Sequence, residues 1–252
     1  MRVFLTLLRR ELAGFFLSPT GYVIIAAVTL LIGLGFDVSM TGVLNSDEPS
    51  SMPLTELFYV TFYFWLIVLL ITPVITMRLF ALEKYSGTFE TLMTTPVGDM
   101  QVVAAKFTGA VIFYMVSWLP MIACLFVIRH FTDEHDVLDP GTVGGMFLGI
   151  FLIGCLFISL GCFASSLTRN QMAAAMISLV LGVSLFSLGF LATAIDTPKG
   201  WETQVLSYFG LFDQMHNFAR GQVDTKTVIF YVSVTFLFLF FTLRVVESRR
   251  WK

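Results

Sequence analysis

Charge is what this sequence has least of. Only 13% of its 252 residues are Asp, Glu, Lys or Arg, against 57% hydrophobic, and the formal net charge is −2. With no basic tract, nucleic acid is excluded as a partner. Cysteine is equally sparse: Cys124, Cys155 and Cys162 all fall inside apolar segments, where thiols act as small fillers, so neither a disulfide framework nor a zinc spacing follows. Cys155 and Cys162 are seven apart and share a helix face, which reads as packing. The three histidines, His130, His135 and His216, lie outside the apolar segments. No H-E-x-x-H occurs, and no Gly-x-Ser-x-Gly nucleophile with a histidine on a neighbouring span, so no catalytic residue and no metal site is expected. His130, Asp133, His135 and Asp136 are read as a solvated acidic connection. The sequence also lacks G-x-x-x-x-G-K-[ST] and any polar connection long enough for a nucleotide-binding domain, so this chain is expected to bind no cofactor of its own.

What is present is apolar sequence in long blocks, with a mean hydropathy of +0.85. A helix rises about 1.5 Å per residue, so crossing a hydrocarbon core of about 30 Å takes roughly 20 apolar residues. Six blocks meet that length: 21–40, 57–77, 103–128, 143–167, 172–195 and 227–243. The fold class is therefore an all-α membrane protein with six transmembrane helices. Before the first span, residues 1–18 read as an amphipathic interfacial helix of the mature protein, with Arg2, Thr6, Arg9 and Arg10 on one stripe. Ser18 and Pro19 suit an N-cap and first helical position. Pro73 is expected to kink the second span, and Pro120 falls in the third. The fourth is glycine-rich, and its Gly145-x-x-x-Gly149 pair is read as internal helix packing ahead of a dimer contact. Residues 196–226, aromatic yet interrupted by Glu202, Asp213 and Arg220, are expected to form short interfacial or re-entrant helices, with Trp201 and Tyr208 at headgroup level.

Charge distribution sets the orientation. With both termini and the second and fourth connections on one side, that side holds 11 basic residues: Arg2, Arg9, Arg10, Arg78, Lys84, Lys106, Arg169, Arg244, Arg249, Arg250 and Lys252. The other side holds four, Arg129, Lys199, Arg220 and Lys226. The basic face is expected to be cytoplasmic, which places both termini there in a multi-pass protein.

One connection differs from the rest. In the stretch from Ala81 to Lys106, Ser86-Gly87-Thr88 marks a break and a helix start, and Glu90 sits in the first turn where the helix dipole favours it. Phe89, Leu92 and Met93 then form a small apolar face, Thr95-Pro96-Val97-Gly98 ends the helix, and Asp99 is expected to cap the next one. A rigid knob joined to two spans and a solvated turn that contains a helix both satisfy this pattern.

The string E-K-Y-S-G-T-F-E-T-L-M-T-T-P-V, Glu83 to Val97, ahead of Lys106, resembles the signature that follows the second span in ABC-2 type permeases, the membrane subunits of ABC exporters. The R-R-E-L of Arg9 to Leu12 is similar to their opening helix. F-D-Q-M-H-N-F-A-R-G-Q-V-D, Phe212 to Asp224, with R-R-W at Arg249 to Trp251, resembles the branch associated with gliding motility. The resemblance implies one permease domain over 1–252, with 81–99 as a coupling helix seated on an ATPase subunit. Glu83, Gly87, Thr88, Glu90, Leu92 and Pro96 would then make the contacts and set the geometry.

It further implies two copies of an ABC ATPase that holds the ATP and Mg, a second permease chain of the same or a different sequence, and a bacterial inner-membrane location. Membrane lipids and an extracytoplasmic accessory protein complete the expected partners. The mid-span residues Thr29, Thr61, Thr72, Ser117, Ser159, Ser178 and Ser184 supply hydroxyls, whereas Asp37 is the one mid-span acid and lies near an outer end. A hydrophobic or amphipathic cargo, or force transmitted to an outer partner, fits better than an ion path. The competing classes are a stand-alone intramembrane enzyme and a secondary transporter, the latter expected to show inverted repeats and midplane charges.

Overall fold

The computed structural model describes residues 2–44, 58–59, 61–88, 98–131, 140–194 and 209–250. All regular structure among them is helical. The helices are α1 (Arg2–Phe16), α2 (Pro19–Leu44), α3 (Phe62–Thr76), α4 (Ala81–Ser86), α5 (Asp99–Ser117), α6 (Leu119–Phe131), α7 (Pro140–Leu167), α8 (Gln171–Ala194), α9 (Leu211–Ala219) and α10 (Thr225–Arg250). Six helical stretches are long and apolar enough to cross a membrane: Pro19–Gly42, Phe62–Ser86, Asp99–Val127, Gly141–Leu167, Gln171–Gly189 and Thr225–Ser248. These correspond one for one to the six blocks expected from hydropathy.

Two spans depart from the expected boundaries. The second continues past a turn at 77–80 into α4, so the stretch from Ala81 begins as helix attached to the membrane bundle. The third is broken at Trp118, between α5 and α6. Pro120 accounts for the break: it has no amide proton, and its ring would clash with the carbonyl four residues back in a continuous helix. The ladder closes around it with tighter bonds, from Trp118 N–H to the Met115 carbonyl at 3.2 Å and from Met121 N–H to the Trp118 carbonyl at 3.1 Å. The helix after Gly98 also starts differently. Asp99 is its first residue, with Gly98 at the N-cap position and no side-chain cap.

The centre of the bundle is α7. In its span 72% of the residues are buried, against 17% in those of α8 and α10, and it packs against α3, α5, α8, α9 and α10. Lipid offers no hydrophobic drive between helices, so close backbone approach has to supply the dispersion energy. The glycines make that approach. A Cβ on Gly161 would lie 2.1 Å from Thr76 Oγ1 of α3. Gly145 and Gly149 receive Phe218 and Met215 of α9 in the same way, so the GxxxG pair is filled from within the chain.

At the end of the bundle opposite the termini, Tyr59, Phe64 and Trp118 form an aromatic cluster. Tyr59 donates to the Met146 carbonyl of α7 at 2.9 Å. Trp201, Tyr208 and the acidic connection with His130, Asp133, His135 and Asp136 belong to regions whose side chains lie outside the described residues.

Candidate functional site

At the terminus end, residues far apart in sequence converge on α4. Its first two amides, on Phe80 and Ala81, have no partner within the helix. Both donate to Ser165 Oγ of α7, each at 3.1 Å, and the same hydroxyl donates to the Met77 carbonyl at 3.3 Å. This is an N-cap supplied from another helix rather than from the preceding residue. One turn further on, the buried Lys84 donates its Nζ proton to the Ser166 carbonyl. That carbonyl is in the last turn of α7, where a cation is favoured by the helix dipole.

The other face of α4 carries Glu83, in its first turn. Glu83 Oε1 accepts from Lys106 Nζ of α5 at 2.9 Å and from Arg10 Nη2 of α1 at 2.9 Å. Glu11 Oε1 accepts from the same two donors, each at 3.0 Å. Two cations and two anions therefore close a neutral quartet across three helices. Lys106 is 2% exposed and lies 5.5 Å from the Phe80 ring. Two carboxylates stand where water would otherwise solvate its ammonium. Phe15, stacked on Phe113 at 4.8 Å, continues the α1 to α5 contact, and Arg78 donates to Thr20 Oγ1 to join the second span to the first. A cavity of about 120 Å³ lies beside the quartet, lined in part by Glu11, Arg78, Glu83 and Lys106. It is small against the roughly 300–1,000 Å³ of ligand pockets, and the quartet is a joint between α1, α4 and α5 rather than a ligand pocket.

Of the residues expected at the site, Glu83 is one of the two anions of this joint. Gly87 ends α4 in the left-handed region at φ +75°, a conformation for which glycine is the favoured residue. Thr88 is exposed, its hydroxyl 2.8 Å from Ser86 Oγ. Glu90, Leu92 and Pro96 lie outside the described residues. Sequence reasoning missed the roles of Arg10, Glu11, Lys84, Lys106, Ser165 and Ser166. A signal for one of them was present: Lys106 is a lone cation at the edge of an apolar block.

Most of the mid-span hydroxyls singled out from the sequence bond locally. Thr29, Thr72, Ser117, Ser159 and Ser184 each donate to a carbonyl three or four residues back on their own helix, at 2.6–2.8 Å. Thr61 donates to the Phe58 carbonyl at 2.5 Å. Among the described residues no group of three or more His, Cys, Asp or Glu could hold a metal ion.

Comparison with known proteins gives one family. A family model described as ABC-2 family transporter protein matches residues 37–246, which take in the second to sixth spans, α4 and α9. A search of curated proteins found no match.

Proposed function

The chain belongs to the ABC-2 family of transporter proteins and is a permease component of an ABC transporter, and from that premise we propose how it is driven. ATP and Mg are held by a separate ATPase, present in two copies, and two permease chains face each other in a bacterial inner membrane with their termini in the cytoplasm. Segment 81–99 is the coupling region, in which Glu83, Gly87, Thr88, Glu90, Leu92 and Pro96 make the contacts and set the geometry. ATP-driven closure of the ATPases presses on this segment and moves the first, second and fifth spans. Residues 1–18 serve as the interfacial helix and 196–226 as the outer interfacial segment. This chain contributes no catalytic group.

The observation that carries the reading is the joint around α4. A push at Gly87 enters the second span at α4, which also packs on α8 of the fifth span. From there it reaches α1, itself packed on α2 of the first span, and α5 through Glu83, and α7 through Ser165 and Lys84. Support for a hydrophobic or amphipathic cargo, or for force transmitted to an extracytoplasmic partner, comes from the mid-span hydroxyls. Those of Thr29, Thr72 and Ser159 are spent on their own helices, and so offer little to an ion. The gliding-motility branch remains a resemblance of residues 212–224 and 249–251.

The test is isolation of the tagged chain from its native membrane in mild detergent, with ATPase activity assayed on the eluate. A P-loop protein is expected to co-elute. Glu90→Lys is expected to leave the elution profile of the permease unchanged while abolishing its stimulation of that ATPase. A chain that elutes alone, or a Glu90→Lys variant with full stimulation, would overturn the coupling assignment.

A further inference from the structure

A second feature lies away from the joint, on the outside of the bundle. Between α5, α7 and α10 runs a groove of about 490 Å³ with almost wholly apolar walls, among them Phe107, Phe151, Cys155 and Phe236. Met100 and Leu243 line its mouth at the terminus end, and the fully buried Tyr231 marks its deep end. Along α10 the distance from Leu243 to Tyr231 is twelve residues, about 18 Å at the helical rise. One leaflet of hydrocarbon is half of about 30 Å, or about 15 Å. The groove is therefore about one leaflet long and runs along α10 toward the terminus end of the bundle.

The mouth is marked by charge. Arg244 follows Leu243, and its guanidinium sits 4.9 Å from the ring of Phe240, itself a wall of the groove. The Arg244 side chain is 65% exposed and gives one donor to Glu247 Oε2 at 3.0 Å. A guanidinium has five donors, so most of the hydrogen-bonding capacity of this exposed side chain, near the terminus end of the sixth span, is left for a further acceptor. An apolar slot of leaflet length with an arginine at its opening matches a chain that carries an anionic head.

We propose that this groove holds one acyl chain of a glycerophospholipid from the leaflet on the terminus side, with the lipid phosphate at Arg244. The chain fills space that the packing of α10 on α7 leaves beside α5, and the phosphate fixes its register. The site is independent of the coupling reading, since it needs neither the ATPase nor a second permease chain.

The experiment uses the full chain in nanodiscs of phosphatidylethanolamine and phosphatidylglycerol, doped with a phosphatidylglycerol that carries a photoactivatable group in one acyl chain. After illumination, labelled peptides are mapped. Adducts are expected at groove residues such as Phe107 and Phe236, in excess over Phe126 and Val180, which are exposed on α6 and α8 and do not line this groove. Ala104→Trp, which fills the slot, is expected to abolish the excess. Arg244→Gln, a change at an exposed position, is expected to lower groove labelling about tenfold, as loss of a charge-assisted hydrogen bond does, while Arg244→Lys retains most of it. Labelling no higher in the groove than at Phe126 and Val180 would overturn the proposal, as would groove labelling unaffected by both Ala104→Trp and Arg244→Gln. A groove that takes no label because a protein segment covers it would also overturn it.

Discussion

Lys106 has 2% of its side chain exposed and two carboxylates, of Glu11 and Glu83, as the partners of its ammonium. Breaking a buried ion pair by removing one member leaves the other charges uncompensated, at a cost of about 3–5 kcal/mol. Lys106→Met is therefore expected to lower the thermal unfolding midpoint of the detergent-solubilised protein sharply, because Glu11 and Glu83 then face each other with only the half-exposed Arg10 between them. Adding Glu11→Gln to Lys106→Met is expected to cost less than the sum of the two single changes, since both act on one network. An unchanged midpoint for Lys106→Met, measured by intrinsic fluorescence on heating, would show that the quartet does not hold the helices together.

At the scale of elements, α4 is the instructive case. Six residues are too few to stand as an isolated helix, because nucleation costs more than a single turn returns. It persists because α7 supplies its cap through the Ser165 hydroxyl and an acceptor for Lys84 through the Ser166 main chain. Ser165→Ala is expected to weaken α4 by about 1–2 kcal/mol, the usual cost of an N-cap, and to speed hydrogen exchange of the Phe80 and Ala81 amides by about tenfold or more. Ser166→Ala is the control, since the carbonyl that Lys84 uses survives it, and exchange at those amides is expected to stay as it was. The break at Trp118 was written in the chain by Pro120, a local steric fact. The cap was not, because Ser165 looks like any other hydroxyl near a helix end until α7 is placed beside α4.

For the whole molecule, the bias of basic residues toward one face implies an orientation that is open to direct measurement. Ser248, on α10 at the terminus end, and the exposed Gln222, between α9 and α10 at the opposite end, are suitable reporters. The native cysteines all lie within spans. In intact spheroplasts a membrane-impermeant maleimide is expected to label Gln222→Cys and to reach Ser248→Cys only after the membrane is broken. The opposite pattern would invert the orientation, and with it the side on which an ATPase is sought.

By itself the sequence determined the six spans, the charged face and the punctuation at Gly87, because hydropathy, charge and backbone freedom act over a few residues and can be read in place. Three motif segments that resemble a permease could likewise be quoted from it, and the family match over residues 37–246 bears out the family. Only the tertiary structure decided that Arg10 and Glu83, 73 positions apart, meet Glu11 and Lys106, 95 positions apart, in one quartet. It also decided that α9 fills the Gly145 and Gly149 pair, and that α5, α7 and α10 leave a slot between them. The reason is physical. Within lipid every face of a span is apolar, so the choice of which faces meet falls to shape, to small residues and to a few buried charges, and none of these has a period along the chain that a reader could follow.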